Sequence, residues 1–165
     1  MDQNICTYCG AYTTNNICAN CGKDISDYQP APHHLQPGTI LAGKYMVGGV
    51  LGEGGFGITY IGRDTILDMT VAIKEYFPSG VVNRNNTSST EITSPIGNAI
   101  TFFEKGKKSF LDEARILAKF SNEQSIVSVR DFFSENNTAY IVMEYLEGVD
   151  LKTFIEKMGR LISKQ

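Results

Sequence analysis

Four cysteines, Cys6, Cys9, Cys18 and Cys21, crowd into the first 21 of 165 residues as two Cys-x-x-Cys pairs with eight residues between them, and a glycine follows each pair (Gly10, Gly22). A segment this short has too little apolar surface to fold on a core of its own, so a cross-link has to hold it. A Cys-x-x-Cys turn directs two thiolates at one cation, the following glycine lets the turn close, and two such knuckles supply the four soft ligands of a tetrahedral Zn²⁺ site. Metal binding would then drive the folding of the segment. Two disulfides or a duplicated redox motif are the competing uses. The start, Met1-Asp2-Gln3-Asn4, carries an acid and no basic stretch, so no secretory signal is expected, and a reducing cytoplasm disfavours disulfides. A redox pair belongs on a larger α/β scaffold and would not come twice. Residues 1–24 are therefore expected to be a structural zinc ribbon in a cytoplasmic protein, with Cys6, Cys9, Cys18 and Cys21 as the metal ligands.

The rest of the chain has to supply a core, and its composition allows one: 42% of residues are hydrophobic and 20% charged, which excludes global disorder. The formal charge is −3, and among the first 40 residues Lys23 stands alone against Asp2, Asp24 and Asp27. A phosphate-binding face is hard to build from that, so nucleic acid is not expected as a partner and a docking partner for the ribbon is. No apolar run approaches the roughly 18 residues of a spanning helix, so no membrane segment is expected in this chain.

Pro30, Pro32 and Pro37 mark residues 25–39 as a linker, with His33 and His34 expected to be solvated because four cysteines already fill the metal site. Beyond it, Lys44–Val50, Ile58–Arg63 and Thr70–Tyr76 have the texture of a three-stranded antiparallel meander. Residues 79–101, rich in Asn, Ser and Thr, suggest a loop or loosely ordered insertion. Phe103–Phe120 has helical spacing, with Phe103, Phe110, Leu111, Ala114, Leu117 and Ala118 on or near one face. Two more strands, Ile126–Phe133 and Ala139–Tyr145, flank the turn-forming Ser134-Glu135-Asn136-Asn137, and a short helix is expected over Asp150–Met158.

Leu51-Gly52-Glu53-Gly54-Gly55-Phe56-Gly57 lies between two of these strands, where a Gly-x-Gly-x-x-Gly of a dinucleotide fold would lie between a strand and a helix. Glycines in a strand–turn–strand flap let backbone N–H groups approach phosphates without obstruction. Val71-Ala72-Ile73-Lys74 then places one lysine in an apolar strand, costly to bury unless paired, and the helix offers Glu113. Ile141-Val142-Met143-Glu144-Tyr145-Leu146-Glu147-Gly148 runs a buried-looking strand into a polar connection.

Together these segments, over about residues 40–160, resemble the amino-terminal lobe of the eukaryotic-type protein kinases, particularly bacterial serine/threonine kinases. The resemblance implies an α+β fold, a five-stranded antiparallel sheet with one packed helix, beside the zinc ribbon. It implies that Gly52, Gly54 and Gly57 are the glycines of a phosphate-covering loop that includes Gly55 and has Phe56 at its tip. Lys74 would hold the α- and β-phosphates of ATP and pair with Glu113. Leu51 and Ala72 would sandwich the adenine beside Thr59, Met143 would be the gatekeeper, Glu144 and Leu146 the hinge, and Asp150 the ribose contact, while Leu117 and Val129 would stack behind the helix.

Three departures accompany the resemblance. Thr59 stands where the motif usually has Val. Lys74 and Glu113 lie 39 residues apart, the excess falling in residues 79–101, whose approach Glu75-Tyr76-Phe77-Pro78 is similar to a bacterial subgroup carrying an amino-terminal zinc ribbon. No His-Arg-Asp with its following Asn and no Asp-Phe-Gly occurs, so the catalytic base and both Mg²⁺ ligands are missing from the 165 residues. The expected organisation is a zinc ribbon (1–24), a linker (25–39), a kinase small lobe (40–148), and a hinge exit with the start of a truncated large lobe (149–165). Phosphoryl transfer from ATP, with Mg²⁺, to protein Ser or Thr is expected of a full-length parent. This chain alone is expected to bind ATP weakly and to be inactive. The alternative is a non-catalytic nucleotide-binding or docking module with a zinc ribbon.

Overall fold

Strand-forming runs rich in Val, Ile and Tyr dominate residues 40–144, and they assemble into one antiparallel sheet. A computed structural model describes residues 4–149 and 151–162. The cysteine module contributes a two-residue hairpin, β1 (Asn4–Ile5) and β2 (Tyr12–Thr13). Then follow β3 (Ile40–Leu41), β4 (Tyr45–Gly54), β5 (Gly57–Asp64), β6 (Met69–Tyr76), the helix α1 (Asn98–Ala118), β7 (Val129–Glu135), β8 (Thr138–Glu144) and the helix α2 (Leu151–Ile162). The sheet order is β3-β4-β5-β6-β8-β7. The expected five strands are joined by a sixth, the two-residue β3, which pairs Ile40 with Met46 and Leu41 with Tyr45 at the start of β4.

Two tight turns set the registers. Gly55 and Phe56 connect β4 to β5 across the Gly54–Gly57 pair. Asn136 and Asn137, at φ of 55° and 62°, connect β7 to β8 across Glu135–Thr138, the left-handed pair that a two-residue hairpin of this twist requires. Side chains alternate across a strand, so the pairs Thr59–Lys74 and Ile61–Ala72 lie on one face and Ile58–Glu75 and Tyr60–Ile73 on the other. The first face carries α1: the Tyr76 ring packs at a tilt against Phe103 and Phe110, at 5.3 and 5.6 Å between centroids, and Phe103, Phe110 and Ala114 are buried.

The second face is covered by two segments that the sequence presents as polar connections. Residues 79–101 are an ordered cover: Val82 and Ile92 join the core, Arg84 is buried, and helix α1 begins at Asn98, after Gly97 at φ 63°. The proline-containing segment 25–39 also packs down, with Leu35 only 1% exposed and its N–H donating to the Tyr60 hydroxyl at 3.1 Å. His33 and His34 are not solvated as expected. Their rings pack against each other at 4.4 Å and both meet Glu53, because this segment is pulled onto the sheet by Leu35. Low complexity misleads at both places for one reason: a few apolar anchors suffice to order a polar segment against a face already formed.

Candidate functional site

The glycine-rich hairpin is held where β4 and β5 end. Its tip accepts two backbone hydrogen bonds from the segment after β6, Phe77 N–H to Phe56 O at 3.1 Å and Ser79 N–H to Gly55 O at 3.0 Å. Its glycines divide into two kinds. A Cβ on Gly57 would lie 2.5 Å from the backbone oxygen of Glu75, so that glycine is demanded by the fold. Gly52, Gly54 and Gly55 have no atom within 4 Å of where a Cβ would sit, and none has the positive φ that favours glycine. The protein's own packing leaves their bareness unexplained, and the open space is a cradle that a closely approaching ligand would use.

Beneath the hairpin lies a cavity of about 500 Å³ lined by Phe56, Lys74, Tyr76, Phe110 and Glu113 among others. Lys74, half-buried on β6, projects its ammonium over the Phe110 ring at 5.8 Å. Glu113, on α1, is exposed. The two line one cavity, but among the described residues they make no ion pair with each other, and the lysine's charge has the Phe110 ring beside it at the cavity wall. Toward the other end of the same face, Thr59 pairs with Lys74 in the ladder and Ala72 with Met143. Leu51 is half-exposed, and Leu146 lies exposed past the end of β8. Glu144 closes β8 through its N–H to Ser128 O at 3.0 Å, and its carboxylate accepts from Ser128 N–H at 2.8 Å. Leu117 is partly buried against the core and Val129 is buried in it. Asp150 lies outside the described residues.

Glu75, the next residue after Lys74, presents the opposite situation. Its carboxylate is fully buried, forms a two-pronged ion pair with Arg84, and accepts from the hydroxyls of Tyr60 at 2.9 Å and Tyr140 at 3.0 Å. Arg84 also donates to the backbone oxygens of Thr90 and His33, at 2.7 and 3.0 Å. Burial, reinforced by the Glu75 charge, pushes both tyrosines above their ordinary range. Burial also opposes the Arg84 charge, but its hydrogen bonds to Glu75 hold it above its usual value. The sequence argument that singles out Lys74, a charge in an apolar strand, applies equally to Glu75. Its partner was hidden in the Asn/Ser/Thr-rich stretch.

The cysteines converge at the other end of the chain. Cys6 Sγ lies 3.6 Å from Cys21 Sγ and Cys9 Sγ lies 3.7 Å from Cys18 Sγ, with all four sulfurs within 4.8 Å of one another and none in a disulfide. The knuckles close as glycine permits, Gly10 N–H to Cys6 O at 2.9 Å and Gly22 N–H to Cys18 O at 2.7 Å, at φ of 70° and 72°. Burial pushes the Cys6 thiol up to about 12, whereas backbone hydrogen bonding at Cys21 holds Cys18 down at about 7. Four such sulfurs could hold a metal ion. The module does not dangle from the sheet. The Gly10 carbonyl accepts from Arg63 at 3.1 Å, the Arg63 guanidinium stacks on Tyr12 at 4.3 Å, and Thr7 O accepts from Gly49 N–H at 3.1 Å.

Comparison with known proteins agrees with this geometry. Residues 45–165 match the protein kinase domain family. The chain is 30% identical over 128 residues to serine/threonine-protein kinase PrkC of Bacillus subtilis, covering 78% of this chain and 16% of that one. It is 29% identical over 143 residues to serine/threonine-protein kinase B of Synechocystis, covering 87% of this chain and 20% of that one. A solved structure described as PpkA-294 apo form superposes with a TM-score of 0.67 at 34% identity, covering 76% of this chain and 43% of that one. The chain thus spans about a sixth to a fifth of the length of these curated relatives.

Proposed function

From the premise that this chain belongs to the protein kinase family, we propose that residues 40–148 are the ATP-binding small lobe of a protein serine/threonine kinase. The observation that carries it is the bare glycine cradle of Gly52, Gly54 and Gly55 above an unpaired lysine. Backbone N–H groups without Cβ atoms can close on phosphate oxygens, and Lys74 supplies the positive charge that these oxygens need. Phe56 at the tip, 69% exposed, shields that region from water, and Glu113 orients Lys74 once the two approach. Ala72, Leu51, Thr59 and Met143 offer the base an apolar slot, with the backbone at Glu144 and Leu146 at its edge and Asp150 toward the ribose. ATP brings the transferable phosphoryl group, and Mg²⁺ neutralises its charge in a longer protein that also supplies a catalytic base. Without that base and the Mg²⁺ ligands, the chain binds nucleotide but does not transfer phosphate.

The cysteine module is a structural zinc site in the same proposal. A tetrahedral Zn²⁺ with sulfurs at about 2.3 Å has S···S edges of about 3.8 Å, close to the separations across both cysteine pairs. Protein serines or threonines are the substrates of the longer protein, and the ribbon is the surface for a docking partner. No helix of the described residues is long and apolar enough to cross a membrane, and we assign the chain to the cytoplasm.

An NMR titration with ATP tests the nucleotide reading. Amide shifts of Gly52, Gly54 and Gly55 should saturate with ATP in the parent chain and stay unmoved in Lys74→Met. Absence of any shift in the parent overturns the reading.

A further inference from the structure

Residues 4–38 grip the strand that leads into the glycine-rich loop. Strand β4 is irregular twice, between Val47 and Val50 and between Val50 and Gly52, and a bulge turns backbone donors out of the ladder. Those donors are taken by the N-terminal segment: Gly49 N–H by Thr7 O at 3.1 Å and Val50 N–H by the Tyr28 hydroxyl at 2.9 Å. The cysteine module meets the Lys74 face, where Gly10 abuts Ile61 and Thr70. The chain then crosses the β4 edge at Tyr28 and covers the Glu75 face with Leu35. The segment is a clasp around β4, which lies at the sheet's margin beyond its two-residue pairing with β3, not a tether.

The clasp ends on Glu53, inside the loop. His33 Nε2 lies 2.6 Å from one carboxylate oxygen of Glu53 and His34 Nε2 2.9 Å from the other. Glu53 is cross-strand from Ile58, on the Glu75 face, so its carboxylate points away from the phosphate cradle. Two histidines and a glutamate resemble a cation site, but the hydrogen bonding opposes one. His34 Nδ1 accepts the Ala31 N–H at 3.1 Å, which places the ring proton on Nε2, facing Glu53, and leaves no lone pair there for a metal. The cluster is a latch with an imidazole donor. Partial burial works against the Glu53 charge, yet the bonds to His34 and His33 hold its carboxyl below the usual range, so it is an anion when latched. The strap is itself fixed from behind, since His33 O accepts from Arg84, Ala31 O from the Asn86 side chain at 2.9 Å, and Pro32 O from Asn86 N–H at 2.9 Å.

We propose that Glu53, gripped by His33 and His34, is a positioning residue that sets the glycine-rich loop for the phosphates of the nucleotide. This rests on the nucleotide-binding reading above, because the loop it positions is the cradle assigned there. The alternating geometry keeps Glu53 off the ligand, so its effect is confined to the phosphate end.

Two readouts on the full chain test it. In hydrogen exchange, Glu53→Ala and the double variant His33→Ala/His34→Ala should each speed exchange of residues 51–57 about tenfold, the effect of losing two partly solvent-exposed ionic hydrogen bonds, while β6 and β8 stay unchanged. His34→Gln, whose amide can still donate to Glu53, should retain the parent rate. Unchanged exchange in Glu53→Ala, or equal acceleration throughout the sheet, overturns the latch. In titrations with ATP and with adenosine, the same variants should lose ATP affinity several-fold and keep adenosine affinity. An equal loss for both ligands, or none for ATP, overturns the positioning role. If the parent chain binds neither ligand, the nucleotide reading and the positioning role built on it both fail, and exchange still decides whether the latch exists.

Discussion

Lys74 and Glu75 are adjacent in sequence and opposite in circumstance. Glu75 is wholly buried and has every acceptor site engaged, by Arg84 twice and by two tyrosine hydroxyls. Lys74 is half-buried, faces a cavity of about 500 Å³ and has an aromatic face for company. Burying an ion pair is tolerable only when the remaining hydrogen-bonding capacity is met, and the Glu75 face meets it from inside the protein. The Lys74 face does not. A satisfied charge holds a fold together, while an unsatisfied one in a cleft awaits something from outside. The same division runs through the glycine loop, where Gly57 is required by Glu75, whereas a Cβ on its neighbours Gly52, Gly54 or Gly55 would meet nothing within 4 Å among the described residues.

The largest effect that could break this contrast belongs to Arg84. Replacing it with Leu strands the Glu75 carboxylate and should cost about 3–5 kcal/mol of unfolding free energy in chemical denaturation. A loss under about 1 kcal/mol would mean that the pair is ornamental and the two faces are alike. Gly57→Ala should come next, destabilising by about 1–3 kcal/mol because the new methyl meets the Glu75 backbone. Gly54→Ala, with open space, should leave the denaturation midpoint nearly unchanged and reduce only ATP binding. Lys74→Met should likewise change stability by less than about 1 kcal/mol while removing ATP-dependent shifts. A large destabilisation by Lys74→Met would erase the distinction between its face and that of Glu75.

The smallest expected effect is alkaline. Tyr60 and Tyr140 are held above the ordinary tyrosine value of 10.0, so the folded protein keeps protons that the unfolded chain releases. Their contribution to stability is full below about pH 10 and declines as pH rises beyond it. Tyr60→Phe should flatten that decline in denaturation curves recorded between about pH 9 and 11. An unchanged slope would show that these hydroxyls ionise alike in both states.

Much of the site was legible because its chemistry is local in sequence. The glycine spacing, a lysine in an apolar strand, the helix bearing Glu113 and the two cysteine knuckles each declare themselves within about ten residues, and the α+β fold follows from their order. The Glu75–Arg84 pair was not legible: an arginine among Asn, Ser and Thr looks solvated until the sheet face it covers exists. The histidines misled for the same reason, since Glu53 lies 20 residues from His33 and only the clasp around β4 brings them together.

The sequence by itself determined most of the elements and the candidate groups for a phosphate or a metal, because these depend on residue type and on periods of two and 3.6. Tertiary structure alone decided which charges are finished. Whether a carboxylate, an imidazole or a lysine has a partner depends on which distant segment lands on its face of the sheet. On this chain the stretch around Leu35 and the segment 77–97 cover the Glu75 face, while the Lys74 face, touched by the cysteine module at Ile61 and Thr70, keeps its opening beside Lys74.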